Sequence, residues 1–340
     1  MFSRISPFKS NLLKKELKLG IWAIVTVGFI IFMMTNFAIM DRVRMFNDPN
    51  ITNFNLEQSI STILNVRYNS TVDMLMIALP FFIAIISFGI ERSRKSLEIS
   101  LAGPYSRHEI YFNKIVFGIL GSFFPIFING IIMIIIKMTT IAGQYIEMKY
   151  ILIDFMLGGL GKAIMVYGFV TLIGCLTGNG ISQGFNSCVF SVLPIGVYGL
   201  LMENLRMWGV LSRSMYSDWL GYELIENITP FMNYVFSIEK INAGYWNHSI
   251  KLGLLGLAFL AFGKIFFDLN PMEKNGEVLM FKETEGFFKF GVLICSILLG
   301  GLMFVGMFGL SDKMVFLGNV IGGVLGFYVP KYLIGKAKNA

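Results

Sequence analysis

Apolar residues run through this chain in long stretches separated by short polar connectors, without the strict alternation of a half-buried strand. About eight of these stretches approach 20 residues, the length a helix needs to cross the ~30 Å hydrocarbon core of a bilayer. They are residues 20–40, 72–90, 113–137, 154–177, 184–203, 249–267, 288–309 and 314–334. The pattern predicts an all-α fold, a polytopic transmembrane helical bundle of about eight spans. Ahead of the first span, "NLLKKELKL" places apolar and basic residues at helical spacing, which suits an interfacial helix within 1–19 lying on one leaflet.

Lysine and arginine near the span ends orient the bundle. Arg4, Lys9, Lys14, Lys15 and Lys18 precede the first span, and Arg92, Arg94, Lys95, Arg107 and Lys114 lie between the second and third. The C-terminus closes on "PKYLIGKAKNA". An even number of spans brings all three clusters to one side, which the positive-inside rule makes cytoplasmic. The chain then divides into the interfacial segment 1–19, a six-span core over 20–267, and a segment 268–340 holding a further connector and two spans. Two long loops face outward, 41–71 and 204–247. The second is dense in aromatics (Trp208, Tyr216, Trp219, Tyr222, Phe231, Tyr234, Trp246), which fits short helices at the headgroup level, serving either as an interfacial belt or in substrate passage.

Composition narrows the class. Of 340 residues, 55% are hydrophobic and only 14% charged, whereas a soluble domain averages about 25% charged. Membrane lipids are therefore the expected surroundings. The net charge of +7 belongs to one side of the bundle and forms no contiguous nucleic-acid face, so nucleic acid is not an expected partner. Cys175, Cys188 and Cys295 fall inside apolar runs without metal-ligand spacing and read as small buried hydrophobes. The first apolar run is too long for the hydrophobic core of a cleaved signal peptide.

Chemistry-bearing constellations are sparse. His108 and His248 are far apart and fall on opposite expected sides, so neither a catalytic triad nor a metal site is expected. The nearest string to a P-loop, "GGLGKA" at 158–163, lacks both the spacing and the hydroxyl, and its glycines suit helix packing. The chain is thus expected to bind no cofactor and to be no enzyme by itself. Lys162 stands inside a span about two turns from Asp154. The pair either marks a pathway through the bundle or lies near a span end, with Lys162 reaching to the surface.

The connector "IERSRKSLEISLAGPYSRHEIYFNKI" carries the most structure. Leu97 and Leu101 recur four apart, and Ile90, Arg94 and Glu98 make a second row. The pattern describes a short amphipathic helix that Gly103 and Pro104 end. "SRHE" at 106–109 is a capping box that restarts a helix and contributes about 1 kcal/mol. A plain hairpin between spans needs only a few residues. This longer, stiffer element reads as a docking surface for a partner, against the simpler reading of a positively charged loop.

A span ending in Glu-Arg, a charged helix and "LAGPYSRHEIYFNKI" together resemble bacterial ABC exporter permeases of the second type. The family pattern falls here on Glu91, Arg92, Glu98, Pro104, Ser106, Arg107, Glu109 and Lys114 and, with the preceding interfacial helix, covers roughly residues 8–267. The two added spans after "NPMEKNGEVLMFKETEGFF" make the chain similar to eight-span permeases of Gram-positive operons linked to cell-wall-active antibiotic response.

The resemblance implies a permease in the cell membrane of a Gram-positive bacterium. Residues 91–105 would be the coupling helix, seated in a groove of a separate cytoplasmic ABC ATPase subunit that binds ATP and Mg. Arg92, Arg94, Lys95, Glu98, Arg107 and Glu109 would make charge-assisted contacts there, Leu97 and Leu101 would supply apolar area, and Glu91 and Pro104 complete the pattern. Residues 270–286, with Glu273, Lys274 and Glu277, would add a secondary contact or merely link the last spans. A second permease, identical or not, would close the path. Apolar spans with aromatic entrances favour an amphipathic cargo such as a peptide antibiotic or a cell-envelope lipid. The alternatives are a membrane-embedded sensor or assembly subunit and a secondary transporter without an ATPase. The last would show more intramembrane acids and inverted repeats, and neither is seen. Replacing Lys162 by Met tests the pathway reading: a loss of transport supports it, and unchanged transport and assembly dismisses it.

Overall fold

In the computed structural model, residues 10–48, 50, 54–64, 70–94, 96–210, 225, 229, 245–270, 282–309 and 311–338 are described. Among them the chain is all-α. Seven helices are long and apolar enough to cross a membrane, beginning with Ser10–Phe46 and ending with Lys289–Phe308. We number the elements α1 (Ser10–Phe46, with a π-helical turn Met33–Phe37), α2 (Leu56–Leu64) and α3 (Ser70–Ala84, then a π-helical stretch Ile85–Ile90 and a last turn Glu91–Ser93). There follow α4 (Ser96–Ala102), α5 (Arg107–Thr139), α6 (π-helical Tyr150–Leu157, then Gly158–Leu176), α7 (Gly180–Met207), α8 (Tyr245–Leu269), α9 (Lys282–Phe308) and α10 (Asp312–Lys338). Each expected span falls on one of these helices, and most helices overrun it by one or two turns. The bilayer limits where a helix must be apolar, but the backbone hydrogen-bond ladder continues until a cap or a turn stops it.

The chain divides into two compact units, residues 1–184 with 234–276, and residues 185–233 with 277–340. This differs from a six-span core followed by two appended spans, because most of the fifth span groups with the last two. Among the described residues, 10–19 also form no separate interfacial helix before the first span. The segment from Ser10 enters the span without a break, and Leu12, Glu16, Gly20 and Ile24 form one buried stripe along α1. Gly20 faces the Phe117 ring of α5 and Gly28 lies against Pro125, so α1 packs on α5 along much of its length. Residues 1–9, the aromatic loop beyond 210 apart from 225 and 229, and 271–281 with Glu273, Lys274 and Glu277 lie outside the described residues.

Within the first unit, α6 and α8 are in backbone contact. Gly161 lies on the carbonyl of Ser249, Gly168 on that of Gly256, and Gly256 on that of Ile164. Both numbers rise together, so the two helices run parallel and their C-terminal ends point the same way. Small residues let the backbones approach where apolar lipid offers no hydrophobic drive for association. Deeper in the bundle, α1 and α5 share a buried asparagine pair. Asn36 Nδ2 donates to Asn129 Oδ1 at 2.9 Å, and Asn129 Nδ2 donates to the carbonyls of Pro125 (2.8 Å) and Gly28 (3.1 Å). These two polar residues lie in runs that read from sequence as simply apolar.

In the second unit α9 and α10 form an antiparallel pair. Gly318, Gly322 and Gly326 of α10 meet Gly300, Ser296 and Leu293 of α9 in descending order, again at backbone distance. Asn204 of α7 donates to the carbonyl of Leu298 at 2.8 Å. Cys175 is buried and Cys295 half-buried as the apolar surroundings suggest, but Cys188 lies on an exposed helix face. Packing at α6–α8 predicts that Gly256→Val lowers stability by about 1–3 kcal/mol, the usual cost of overpacking. Gly253→Val, where a side chain meets nothing within 4 Å, stays within about 0.5 kcal/mol. Thermal melts of the detergent-solubilised protein separate the two.

Candidate functional site

The connector begins where α3 ends, and the end of α3 is held by a buried ion cluster. Lys114, on α5 two turns past the capping box, is 1% exposed. Its ammonium has three N–H donors and uses them on three acceptors. These are Glu16 Oε1 of α1 at 2.7 Å, Glu91 Oε2 of α3 at 2.7 Å, and the carbonyl of Ser87. The other oxygen of Glu91 faces Lys15 Nζ at 2.6 Å, and Lys15, 38% exposed, also donates to Ser100 of α4 at 2.9 Å. Two carboxylates and two ammonium groups therefore balance across α1, α3 and α5, with Lys15 reaching on to α4.

The π-helical stretch Ile85–Ile90 explains part of this arrangement. A π turn departs from the regular i to i−4 ladder, and such turns often occur at functional sites. Here the Ser87 carbonyl accepts a hydrogen bond from Lys114, and the preceding Ala84 carbonyl accepts one from Gln183 Nε2 at 3.3 Å. Gln183 also donates to Val170 O of α6 at 3.0 Å. Gly89 and Gly180 are in backbone contact, and the Gly180 N–H donates to Ser93 Oγ at 3.0 Å. The first turn of α7 is thereby fastened to the last turns of α3.

Two arginines of the connector are anchors. Arg92, 1% exposed, donates to the carbonyls of Gly174 and, at 2.6 Å, Thr177, at the C-terminal end of α6. Arg107 donates to the carbonyls of Asp268 (2.5 Å), Asn270 (3.3 Å) and Phe267 (3.4 Å), at the C-terminal end of α8. The last carbonyls of a helix lack intrahelical donors and carry the negative end of its dipole, which is where a guanidinium is favoured. Because α6 and α8 run parallel, these two ends lie on the same side of the unit, the side that also bears the N-terminal part of α1.

Aromatic packing surrounds the ions. Phe88, Tyr111 and Phe267 pack pairwise in edge-on and tilted arrangements with centroids 5.2–6.1 Å apart, and the Lys114 ammonium stands 5.3 Å over Phe88. The Tyr111 hydroxyl donates to Leu260 O and the Tyr167 hydroxyl to Lys114 O, each at 2.7 Å. The Tyr167 ring fills the space left by Gly118.

Of the residues expected on a partner-facing surface, Glu91, Arg92, Leu97 and Glu109 are buried in the chain. Leu97 is 1% exposed and packs inward, and Arg107 spends its guanidinium on α8. Glu109 completes the capping box: its Oε2 accepts from the Ser106 N–H at 2.9 Å, and its own N–H donates to Ser106 Oγ at 3.2 Å. The polar groups of these side chains are thus satisfied within the protein: Arg92 and Arg107 donate to carbonyls of α6 and α8, Glu91 accepts from Lys114 and Lys15, and Glu109 accepts from Ser106 in the cap of its own helix. Arg94 and Pro104 are exposed. Glu98 and Leu101 lie on α4 with side chains outside the described set, and Lys95 is not described.

Asp154 and Lys162 are half-buried on α6. Gly161 packs on Ser249, one turn from the start of α8, so Lys162 stands near that end of the helix pair. Among the described residues no group of three His, Cys, Asp or Glu side chains is placed to hold a metal.

Over 258 residues, 75% of this chain and 75% of the relative, the sequence is 23% identical to the probable ABC transporter permease YtrD of Bacillus subtilis strain 168. A second protein of that organism, the probable ABC transporter permease YtrC, is 25% identical over 244 residues, covering 70% of this chain and 69% of its own length. The chain is similar to ABC transporter permeases. No family model matches it, and no solved structure does.

Glu16 and the Ser87 carbonyl were not singled out by sequence, although Lys114 belongs to the family pattern. The one available signal for Glu16 was a lone acid in a basic helix, one turn before an apolar run. Lys114→Met is expected to leave two buried carboxylates facing each other and to cost about 3–5 kcal/mol, whereas Lys15→Met costs at most about 1 kcal/mol. Replacing Glu16, Glu91 and Lys114 together by Gln, Gln and Met restores most of the loss. Denaturation of the three variants in one detergent checks the order.

Proposed function

We propose that this chain is the membrane-spanning permease of an ATP-driven exporter whose ATPase is a separate cytoplasmic subunit, the site of ATP and Mg. Both termini and the 91–114 connector face the cytoplasm. The carrying observation is mechanical. Through Glu91, Arg92, Arg107 and Lys114, the two ends of the connector are joined to α1, α5, α6 and α8, and the Gly89–Gly180 contact adds the start of α7. A push on α4 is thereby delivered to five helices instead of being absorbed by a loop.

In this reading α4 and its Gly103-Pro104 stop form the coupling helix. The partner meets the exposed Pro104, together with Lys95, Glu98 and Leu101, while Glu91, Arg92, Leu97, Arg107 and Glu109 hold the element stiff. The chain pairs with a second permease, a copy of itself or a homologue, to enclose a path. Its cargo is amphipathic, a peptide antibiotic or a cell-envelope lipid, and it belongs to the eight-span permeases of Gram-positive antibiotic-response operons. Asp154 and Lys162 remain candidates for the path itself.

Affinity purification of the tagged chain from its native membrane is expected to recover a Walker-motif ATPase whose hydrolysis responds to cargo. Insertion of Gly-Gly between Gly103 and Pro104, or Leu97→Asp, is expected to lower cargo-stimulated hydrolysis at least about ten-fold, since a 1.4 kcal/mol loss of coupling already gives that factor. Retained stimulation in both variants refutes the coupling assignment. Recovery of the ATPase without any transport points instead to a sensor or assembly subunit, and transport without an ATPase points to a secondary transporter.

A further inference from the structure

Outside the ion cluster the first unit carries an open groove of about 520 Å³, lined by Asn11, Lys14, Lys15, Lys18, Arg94 and Ser96, with Leu19 and Ile90 as its apolar border. Asn11, Lys14, Lys15, Lys18 and Leu19 recur at helical spacing on one face of α1, beside the buried stripe that faces α5. Glu91 lies at the floor, with its two oxygens taken by Lys114 and Lys15. Among the described residues Lys14, Lys18 and Arg94 make no ion pair. The groove is thus a fixed concentration of positive charge beside an already neutralised carboxylate.

Its level along α1 indicates the occupant. Immediately after Leu19 the exposed face of the helix becomes apolar, with Ile21, Trp22, Val25 and Phe29 between 41% and 77% exposed. A tryptophan of that exposure, one turn past Lys18, is the usual mark of the boundary between hydrocarbon and headgroups. Lys14, Lys18 and Arg94 therefore stand at headgroup depth, with apolar surface directly below them for an acyl chain. Basic pockets between transmembrane helices are suited to phosphate headgroups.

We infer that this groove is a binding site for the phosphate of an acidic phospholipid, held by Lys14, Lys18 and Arg94, with its acyl chain lying over Leu19 and the lipid-facing side of α1. Lys15 links it to the ion cluster, since the same ammonium that borders the groove pairs with Glu91 and donates to α4.

Native mass spectrometry of the full-length protein in mixed micelles tests the site, with phosphatidylglycerol and phosphatidylcholine as competing probes. Each basic side chain near an anionic surface is worth roughly five-fold. Wild type is expected to retain phosphatidylglycerol at least about ten-fold over phosphatidylcholine, and Lys14→Gln/Lys18→Gln/Arg94→Gln to lose that preference. The charge-keeping variant Lys14→Arg/Lys18→Arg/Arg94→Lys is expected to keep most of it, which separates loss of binding from misfolding, as does an unchanged thermal melt. Control replacements Lys313→Gln and Lys331→Gln are expected to leave the preference in place.

Equal retention in wild type and the triple glutamine variant overturns the site. An equal loss in the control variants overturns it too, since a diffuse basic surface would then suffice. Displacement of phosphatidylglycerol by millimolar inorganic phosphate overturns the lipid as the source in favour of a soluble phosphate. If the preference vanishes on addition of a co-purified ATPase, the groove is a protein interface and the lipid assignment fails.

Discussion

Everything at the connector end of this protein depends on one ammonium group. Lys114 is buried among apolar and aromatic side chains, where an isolated charge costs several kcal/mol. It is tolerated because all three of its protons are directed at acceptors, two of them carboxylates on different helices. Such a group is a poor source of net stability and a strong source of specificity. Once Glu16, Glu91 and Lys114 are inside, any arrangement that separates them leaves a bare charge in a dry environment. The relative positions of α1, α3 and α5 are set by that penalty.

The arginines extend the same logic to other helices. Arg92 and Arg107 occupy the two places where α6 and α8 present unpaired carbonyls, so each neutralises the end of a helix while fixing it to the connector. The backbone contacts of α6 with α8, through Gly161, Gly168 and Gly256, then make those two helices respond together. The connector is thus tied to several helices by buried polar contacts. That property is what a transmission element needs, and it follows from charge burial and close glycine packing without any special fold.

The positive groove on α1 places a second electrostatic feature beside the first. Lys15 belongs to both, bordering the groove and completing the charge balance of Glu91. In the proposed lipid site, a headgroup would lie beside the buried ions, with Lys15 shared between the groove, Glu91 and α4.

What could be read from residues alone was whatever is local. Span positions follow from runs of apolar residues, because a helix in lipid must be apolar over its crossing length. The Gly103-Pro104 stop and the Ser106–Glu109 capping box follow from backbone chemistry over four residues, and the structure contains that box. The expectation that Arg92, Leu97, Arg107 and Glu109 face a partner joined a family resemblance to the same local view, which sees a charged helix edge and takes it for a surface. Whether an edge is buried is decided by what another part of the chain brings to it. Glu16 meets Lys114 across 98 residues, Arg92 meets the end of α6 across about 85, and Arg107 meets the end of α8 across about 160. Asn36 finds Asn129 in the same way, in runs that otherwise read as featureless. Periodicity and caps are properties of neighbouring residues and are written in their order. The pairing of distant charges is a property of packing, and only the tertiary structure decides it.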